Sequence, residues 1–281
     1  MKTTYLKFTL ALSILAIGSS VHAGAPAASI ANSANASVIE PAVSGLNGKI
    51  DGIYGAVNQS YMRGVSGSVS VPVGQKYGAQ LDGSYIHGFE TDIYGVGGHF
   101  FRRNPAKGLL GLAFGGLHST DFTDILVGVE GELYFKNITL GTFIGYNNAD
   151  AHVPPAFIAS LARSRDFIAA RLYATAYLTE NLAFTAEYQN RFERNFYIAR
   201  LEYLTPVKGL ALFADAGLGD NNYRHLMGGV RFYFGGSSTL KDRHRKDDPD
   251  NINNAFSGSA GAGMSGQGPT GMRRKKYCKP D

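Results

Sequence analysis

The chain has 281 residues, of which 44% are hydrophobic, with 36 glycines, 16 tyrosines, no tryptophan and one cysteine, Cys278. A single thiol excludes a disulfide framework and a cysteine-based metal site, and glycine and tyrosine at this level suit packed strands better than helices. The formal charge of +5 belongs to the ends: residues 1–23 carry two basic side chains and no acidic one, residues 235–281 carry nine basic against five acidic, and residues 24–234 carry sixteen against seventeen. The central part therefore lacks the basic face that nucleic-acid binding needs.

Residues 1–23 read as a secretory signal peptide. Lys2 and Lys7 supply a positive start, Phe8 to Ile17 a short apolar core, and Val21-His22-Ala23 a small-residue cleavage site. The core is too short to cross a bilayer as a helix, and no later stretch reaches the eighteen continuous apolar residues a transmembrane helix needs. Residues 24–47, rich in Ala, Ser and Asn, have little to bury and are expected to form a flexible N-terminal arm. A segment tucked into a barrel mouth is the second reading of this stretch.

Between 48 and 234 the sequence settles into about twelve alternating segments, predicted as strands at 48–60, 64–73, 78–88, 91–102, 108–118, 123–136, 138–147, 167–179, 182–192, 195–205, 209–219 and 223–234. In the sixth, Ile125, Val127, Val129, Leu133 and Phe135 fall on one face, and Gly128, Glu130, Glu132 and Tyr134 on the other. An even number of such segments fits an all-β, antiparallel, up-and-down transmembrane β-barrel with both ends on one side. Every second connection is short. Four of the five lysines in this region (Lys76, Lys107, Lys136 and Lys208) lie in those turns, and Lys49 lies where the first strand begins at the same end.

Lysine placement separates a membrane barrel from a soluble one. A soluble sheet spreads lysine over its exposed faces and edges, whereas the mid-strand charges here are Glu, Asp and Arg interleaved with Tyr, Thr and Gln, as expected of a hydrated lumen. Tyr61, Tyr134, Phe135, Tyr146, Tyr177, Tyr188, Tyr203, Phe232 and Phe234 lie near strand ends and are expected to form interfacial girdles. The expected lumen lining is Glu130, Glu132, Arg171, Glu187, Arg191, Arg200 and Arg231.

The segment Met227-Gly-Gly-Val-Arg-Phe-Tyr-Phe234 resembles the terminal-strand signal of Gram-negative outer-membrane proteins, with Gly229, Phe232 and Phe234 matching its spaced glycine and paired aromatics. Met227 stands where a polar residue is usual, and forty-seven residues follow where the signal usually ends the chain. The resemblance, to the broad porin-like class of bacterial outer-membrane β-barrels, covers about two thirds of the chain. It implies outer-membrane lipid and the barrel assembly machinery as partners, a monomer, and periplasmic N- and C-termini.

Residues 235–281 form a low-complexity tail with basic clusters at 241–246 and 273–276. With almost nothing apolar to bury, it is expected to be disordered in the periplasm, as a solvated linker or a tether to anionic cell-wall polymer. The loop 147–166, with Pro154-Pro155, is the one long connection.

No cofactor motif and no convincing metal spacing occurs, and His87, His99, His118 and His152 are scattered singles read as loop or girdle residues. His118-Ser119 is the nearest approach to a hydrolase pair, but adjacent strand residues face opposite sides. Glu130 and Glu132 share a face, and nearby arginines make a structural ion network the simpler role. The expected function is a narrow pore or small-solute channel, with a closed structural or surface-binding barrel and a soluble secreted barrel as alternatives.

Overall fold

The computed structural model describes residues 40–58, 60–88, 90–120, 122–151 and 165–252. The expected signal peptide, the arm up to residue 39, residues 152–164 of the long loop and the tail from 253 onward lie outside the described residues.

Twelve strands follow one another: β1 (Asn47–Val57), β2 (Ser60–Val73), β3 (Tyr77–Gly88), β4 (Thr91–Asn104), β5 (Gly108–His118), β6 (Phe122–Tyr134), β7 (Ile138–Ala151), β8 (Arg165–Thr179), β9 (Leu182–Arg191), β10 (Arg194–Leu204), β11 (Leu210–Gly219) and β12 (Tyr223–Gly235). Each pairs antiparallel with its neighbours in sequence, and β1 closes the barrel on β12, with Asn47 opposite Gly235, Ile50 opposite Phe232 and Val57 opposite His225. Closure leaves no free edge, so every strand finds backbone partners on both sides.

The alternation of the sequence sets which face points where. Ile125, Val127, Val129, Leu133 and Phe135 all lie on the outside and are at least half exposed. Leu81, Leu110, Leu112, Ile144, Ile168, Leu172, Leu212 and Val230 continue the apolar surface around the wall. Exposed apolar surface on this scale is unstable in water and fits contact with lipid. The inward rows are polar: Ser66, Ser68 and Ser70 on β2, Gln80 and Asp82 on β3, and Glu187, Gln189 and Arg191 on β9 are all buried.

The aromatic girdle is corrected at two positions. Tyr61, Phe135, Tyr146, Tyr203 and Phe232 are exposed on the outside, but Tyr134 and Tyr177 are buried on the inner face. Their parity within β6 and β8 decides this, because residues two apart on a strand share a face.

Two hairpins at the end away from the termini show how turn chemistry fits the closure. β11 and β12 are joined through Asn221 and Asn222, both at φ 58°, a left-handed pair that asparagine tolerates well. β9 and β10 use the same kind of turn with Phe192 (φ 53°) and Glu193 (φ 58°), which costs about 1–2 kcal/mol per residue in such a conformation. The Phe192 ring recovers contact edge-on against Phe167, 5.7 Å between centroids, and beneath the Arg191 guanidinium at 4.8 Å.

The expected disordered tail is corrected over its first part. Gly235 and Gly236, both at φ 64°, reverse the chain at the end of β12, and residues 236–252 run back into the barrel. A Cβ on Gly236 would lie 2.3 Å from Asp247 Oδ2, so the reversal needs glycine there. A short helix α1 (Leu240–Asp242), capped by Thr239 Oγ1 accepting from the Asp242 N–H at 3.2 Å, passes into a π-turn over Arg243–Asp247. The arm is corrected likewise over residues 40–46. Ala42 and Val43 are fully buried, and Val43 packs with Phe101, Leu109 and Tyr134. Both stretches are poor in apolar residues yet ordered, because a polar lumen buries polar chain by pairing it.

Candidate functional site in the barrel lumen

All seven residues expected to line the lumen project inward, and the structure divides them among separate networks. Arg171 donates to Glu187 at 2.9 Å across β8–β9 and to Asp250 of the returning tail at 2.8 Å. Arg200 lies 3.8 Å from Asp215 and 3.6 Å from Asp250. Arg231 forks onto Asp51, through Nε at 2.7 Å and Nη2 at 3.0 Å, and reaches Glu202 through Nη1 at 2.9 Å. Arg191 pairs with Asp124 and donates from Nε to Asn147 at 3.1 Å. Glu130 meets His99 Nδ1 at 2.9 Å, and Glu132 accepts from Tyr134 at 2.6 Å and from Tyr173. The two glutamates thus have separate partners and do not form a carboxylate pair.

Several lumen residues escaped the sequence reading. His99, read as a loop or girdle residue, is buried between Glu130 and Asp82, with Nε2 3.1 Å from Asp82. Lys49, placed with the turn lysines, is 3% exposed and points inward to Asp248, donating also to the Pro249 carbonyl at 2.8 Å. Asp51, Asp82, Arg103, Asp124, Glu202, Asp215 and His225 are further charged or titratable groups of the inner face. Their strand parity marked them as inward, but parity carries no information about which strand lies across the lumen.

His118 is exposed with Nδ1 3.0 Å from Thr123 Oγ1, while Ser119 is buried and accepts from the Phe122 N–H at 3.2 Å. The two make no nucleophile–base pair. Gly229, expected as part of an assembly signal, sits on the inner row of β12 where a Cβ would meet the Gly52 carbonyl at 2.1 Å and the Phe213 ring at 2.7 Å. Phe232 is half exposed on the outer face, and Phe234, two residues on, shares its parity.

The returning segment fills the half of the lumen near the termini. Leu240 packs with Tyr177, Ala183, Leu204, Ala211 and Tyr233. Arg245 stands over the Tyr134 and Tyr177 rings at 5.3 and 5.1 Å and donates to the Ile138 carbonyl at 2.9 Å. Higher up, Gln80 Nε2 donates to the Pro249 carbonyl at 3.3 Å, Asn251 donates to the Gly67 carbonyl at 3.0 Å, and the Ile252 N–H donates to Asp82 at 2.9 Å. The Ile252 side chain ends among Ala113, Leu126, Phe143 and Ala169. Residues 40–46 lock the base of this segment: the Ser44 N–H donates to the Lys246 carbonyl at 2.9 Å, the Ser44 hydroxyl to Asp247, and Lys246 meets Glu40 at 3.2 Å.

Charge follows this packing. Burial raises the Asp250 carboxyl, but Arg171, then Arg200 and Lys49, outweigh it and hold the group well below the ordinary carboxylate range. Asp247 shifts upward because burial outweighs the hydrogen bonds from Ser237 and Ser44. Beside Asp250 a cavity of about 30 Å³ remains, bordered by Tyr173, Thr175, Thr185 and Arg200, and one of about 10 Å³ lies beside Ile252 and Arg191. Spaces of this size hold one or two waters. Above them Val57, Met62, Ile86, Leu117, Phe196 and Met227 form an apolar cluster across the far half of the lumen.

No protein-family model and no curated protein matches this chain. Among solved structures, two of the KdgM porin, one in complex with disordered oligogalacturonate, superpose at TM-score 0.51 with 9% identity over 66% of this chain and 99% of theirs. The NanC porin superposes at TM-score 0.48 with 13% identity over 66% of this chain and 98% of its own. In fold, the chain is a twelve-stranded porin-like β-barrel.

Proposed function

We propose that this protein is a small-solute channel of the Gram-negative outer membrane, held shut by its own chain between residues 236 and 252. The observation that carries the reading is the kind of contact holding that segment. It adds no strand to the barrel and is kept in place by side-chain ion pairs and hydrogen bonds, through Lys49, Gln80, Arg171 and Asp82, together with the apolar seats of Leu240 and Ile252. Its departure leaves twelve paired strands and a hydrated, charged wall. Selectivity then rests on inner charges, Arg171, Arg200, Arg231 and Glu187 among them. The apolar outer surface supports the membrane location, and the termini are proposed to face the periplasm, where the remaining tail reaches cell-wall polymer.

The test is conductance in planar bilayers, comparing the full chain with a chain ending at Gly236, after heat-modifiable gel migration has confirmed a folded barrel. The full chain is expected to be silent or to open rarely, and the shortened one to conduct steadily. A second reading, a permanently closed structural barrel, is favoured by the apolar cluster around Phe196. It predicts that both chains stay silent, which would overturn the channel.

A further inference from the structure

We infer that Lys49, Arg171 and Arg200 form a binding site in the lumen for a solute bearing two carboxylates, occupied in this structure by Asp248 and Asp250 of the chain itself. The inference rests on the reading of residues 236–252 as displaceable.

The two aspartates are the acidic side chains of this segment that reach the wall cations. Asp248 pairs with Lys49, and Asp250 pairs with Arg171 at 2.8 Å and lies 3.6 Å from Arg200. The wall does not balance these cations by itself. Arg171 and Arg200 each have one wall carboxylate, Glu187 and Asp215. Lys49 is 3% exposed, and Asp248 is the one carboxylate that pairs with it among the described residues. By direct pairing, three cations thus meet two wall anions and the segment supplies the third; Glu132 borders the same cavity but is held by Tyr134 and Tyr173. With the segment away, Lys49 faces a hydrated but enclosed lumen without a carboxylate partner, and cations gathered in such a space attract an anion.

The spacing selects among anions. Asp248 is extended (φ −126°, ψ 137°) and is followed by proline. Residues two apart on extended chain put their side chains on one face with Cα atoms about 7 Å apart. Gln80 donates to the Pro249 carbonyl, and the Ser68 hydroxyl accepts from the Asn251 side-chain amide, which leaves a neutral amide and a neutral hydroxyl for a polar body between the two carboxylates. A single small anion satisfies one end of this arrangement, and a dicarboxylate of that span satisfies both.

The segment and the solute then compete for one place, and the apparent affinity of the solute is the intrinsic one multiplied by the fraction of time the segment is away. The test uses adipate, with hexane-1,6-diol and 1,6-diaminohexane as neutral and cationic matches of similar length. Calorimetry on the full chain carrying Asp248→Asn and Asp250→Asn should give an adipate affinity about tenfold or more above that of the unaltered chain, because the competitor is weakened. Adding Lys49→Gln should remove that gain, and the diol and the diamine should not bind. The single Asp248→Asn chain serves if the double variant does not give a heat-modifiable barrel. Equal response to adipate and diol, or no gain on weakening the aspartates, overturns the site. Conductance separates this from the channel itself: adipate binding with no current in the Asn variant leaves the site and removes the pore, while current without adipate binding does the reverse.

Discussion

Near the termini the lumen is filled by a separate stretch of chain, residues 236–252, held through Lys49, Arg171, Gln80 and Asp82. At the far end it is narrowed by the wall itself, where Met62, Ile86, Phe196, Tyr223 and Met227 pack together from four strands. The fillers also differ in chemistry: ion pairs and hydrogen bonds are the more numerous contacts in one half, with Leu240 and Ile252 as its apolar anchors, and the other half is built around an apolar cluster. Withdrawing the first unpairs no strand and exposes groups that water can solvate. Withdrawing the second requires the barrel to deform. One half is therefore suited to a removable closure, and the other contributes to barrel stability.

The largest expected effect tests the apolar half. Phe196→Ala removes a fully buried ring packed edge-on to Tyr223 at 5.0 Å, and should destabilise the barrel by about 3–5 kcal/mol, read as a lower urea midpoint for unfolding from lipid vesicles. A loss under about 1 kcal/mol would mean that the cluster collapses without cost and that the two halves are alike. Next comes the outer surface on which the membrane reading stands. Leu112 is 58% exposed on the outside of β5, so Leu112→Arg should cost about 2–4 kcal/mol in a bilayer, and an unchanged urea midpoint would deny lipid contact there.

A smaller effect on stability, with a larger one on conductance, is expected of Asp250→Asn. Arg171 keeps Glu187 and Arg200 keeps Asp215, so the barrel should lose no more than about 1 kcal/mol while the segment undocks more often. Labelling of a cysteine at Ser68, which lies beneath Asn251, in a Cys278→Ser chain reads that undocking directly. An unchanged labelling rate would place the hold on the segment elsewhere.

The same reporter gives the pH dependence. The Asp250 carboxyl is held below its ordinary value. Its contribution to docking is therefore complete above about pH 4, the unfolded value, and is lost as pH falls through the lower, docked value. Asp247 is raised and acts in the opposite sense, favouring docking when protonated and giving up that contribution as pH rises. Ser68→Cys labelling, taken relative to an exposed control cysteine so that the thiolate's own pH dependence cancels, should show no climb from neutral pH to about pH 5 and should climb only in stronger acid; a climb near pH 6 would implicate a histidine instead. The smallest effect is expected at the base of the segment, where Glu40 and Lys246 pair at 3.2 Å on a partly exposed surface. Glu40→Gln should change docking by under about 1 kcal/mol, and a larger response would make the N-terminal arm part of the latch.

Much of the barrel was legible beforehand because a strand announces itself through neighbours two apart. Ile125, Val127 and Val129 named the outer face of β6, and Glu130 and Glu132 the inner one, without knowledge of any partner strand. All twelve segments appear, with β2 starting four residues earlier and β7 running four residues later than their alternation suggested. The site was legible only in part. Arg171 and Arg200 could be placed inside by parity, but Lys49, with a turn-like position in sequence, could not be separated from the lysines at the same end.

Local sequence thus determined the strand count, the inward and outward rows and the near-neutral charge of the wall, since each depends on residues within one or two positions of one another. Closure of β1 on β12, the His99 bridge between Asp82 and Glu130, and the return of residues 236–252 onto Lys49 and Arg171 were decided by tertiary structure alone. A polar segment that looks too poor in apolar residues to fold becomes ordered when a closed wall surrounds it with charges and hydrogen-bonding groups of the matching kind, and no spacing along the chain encodes that match.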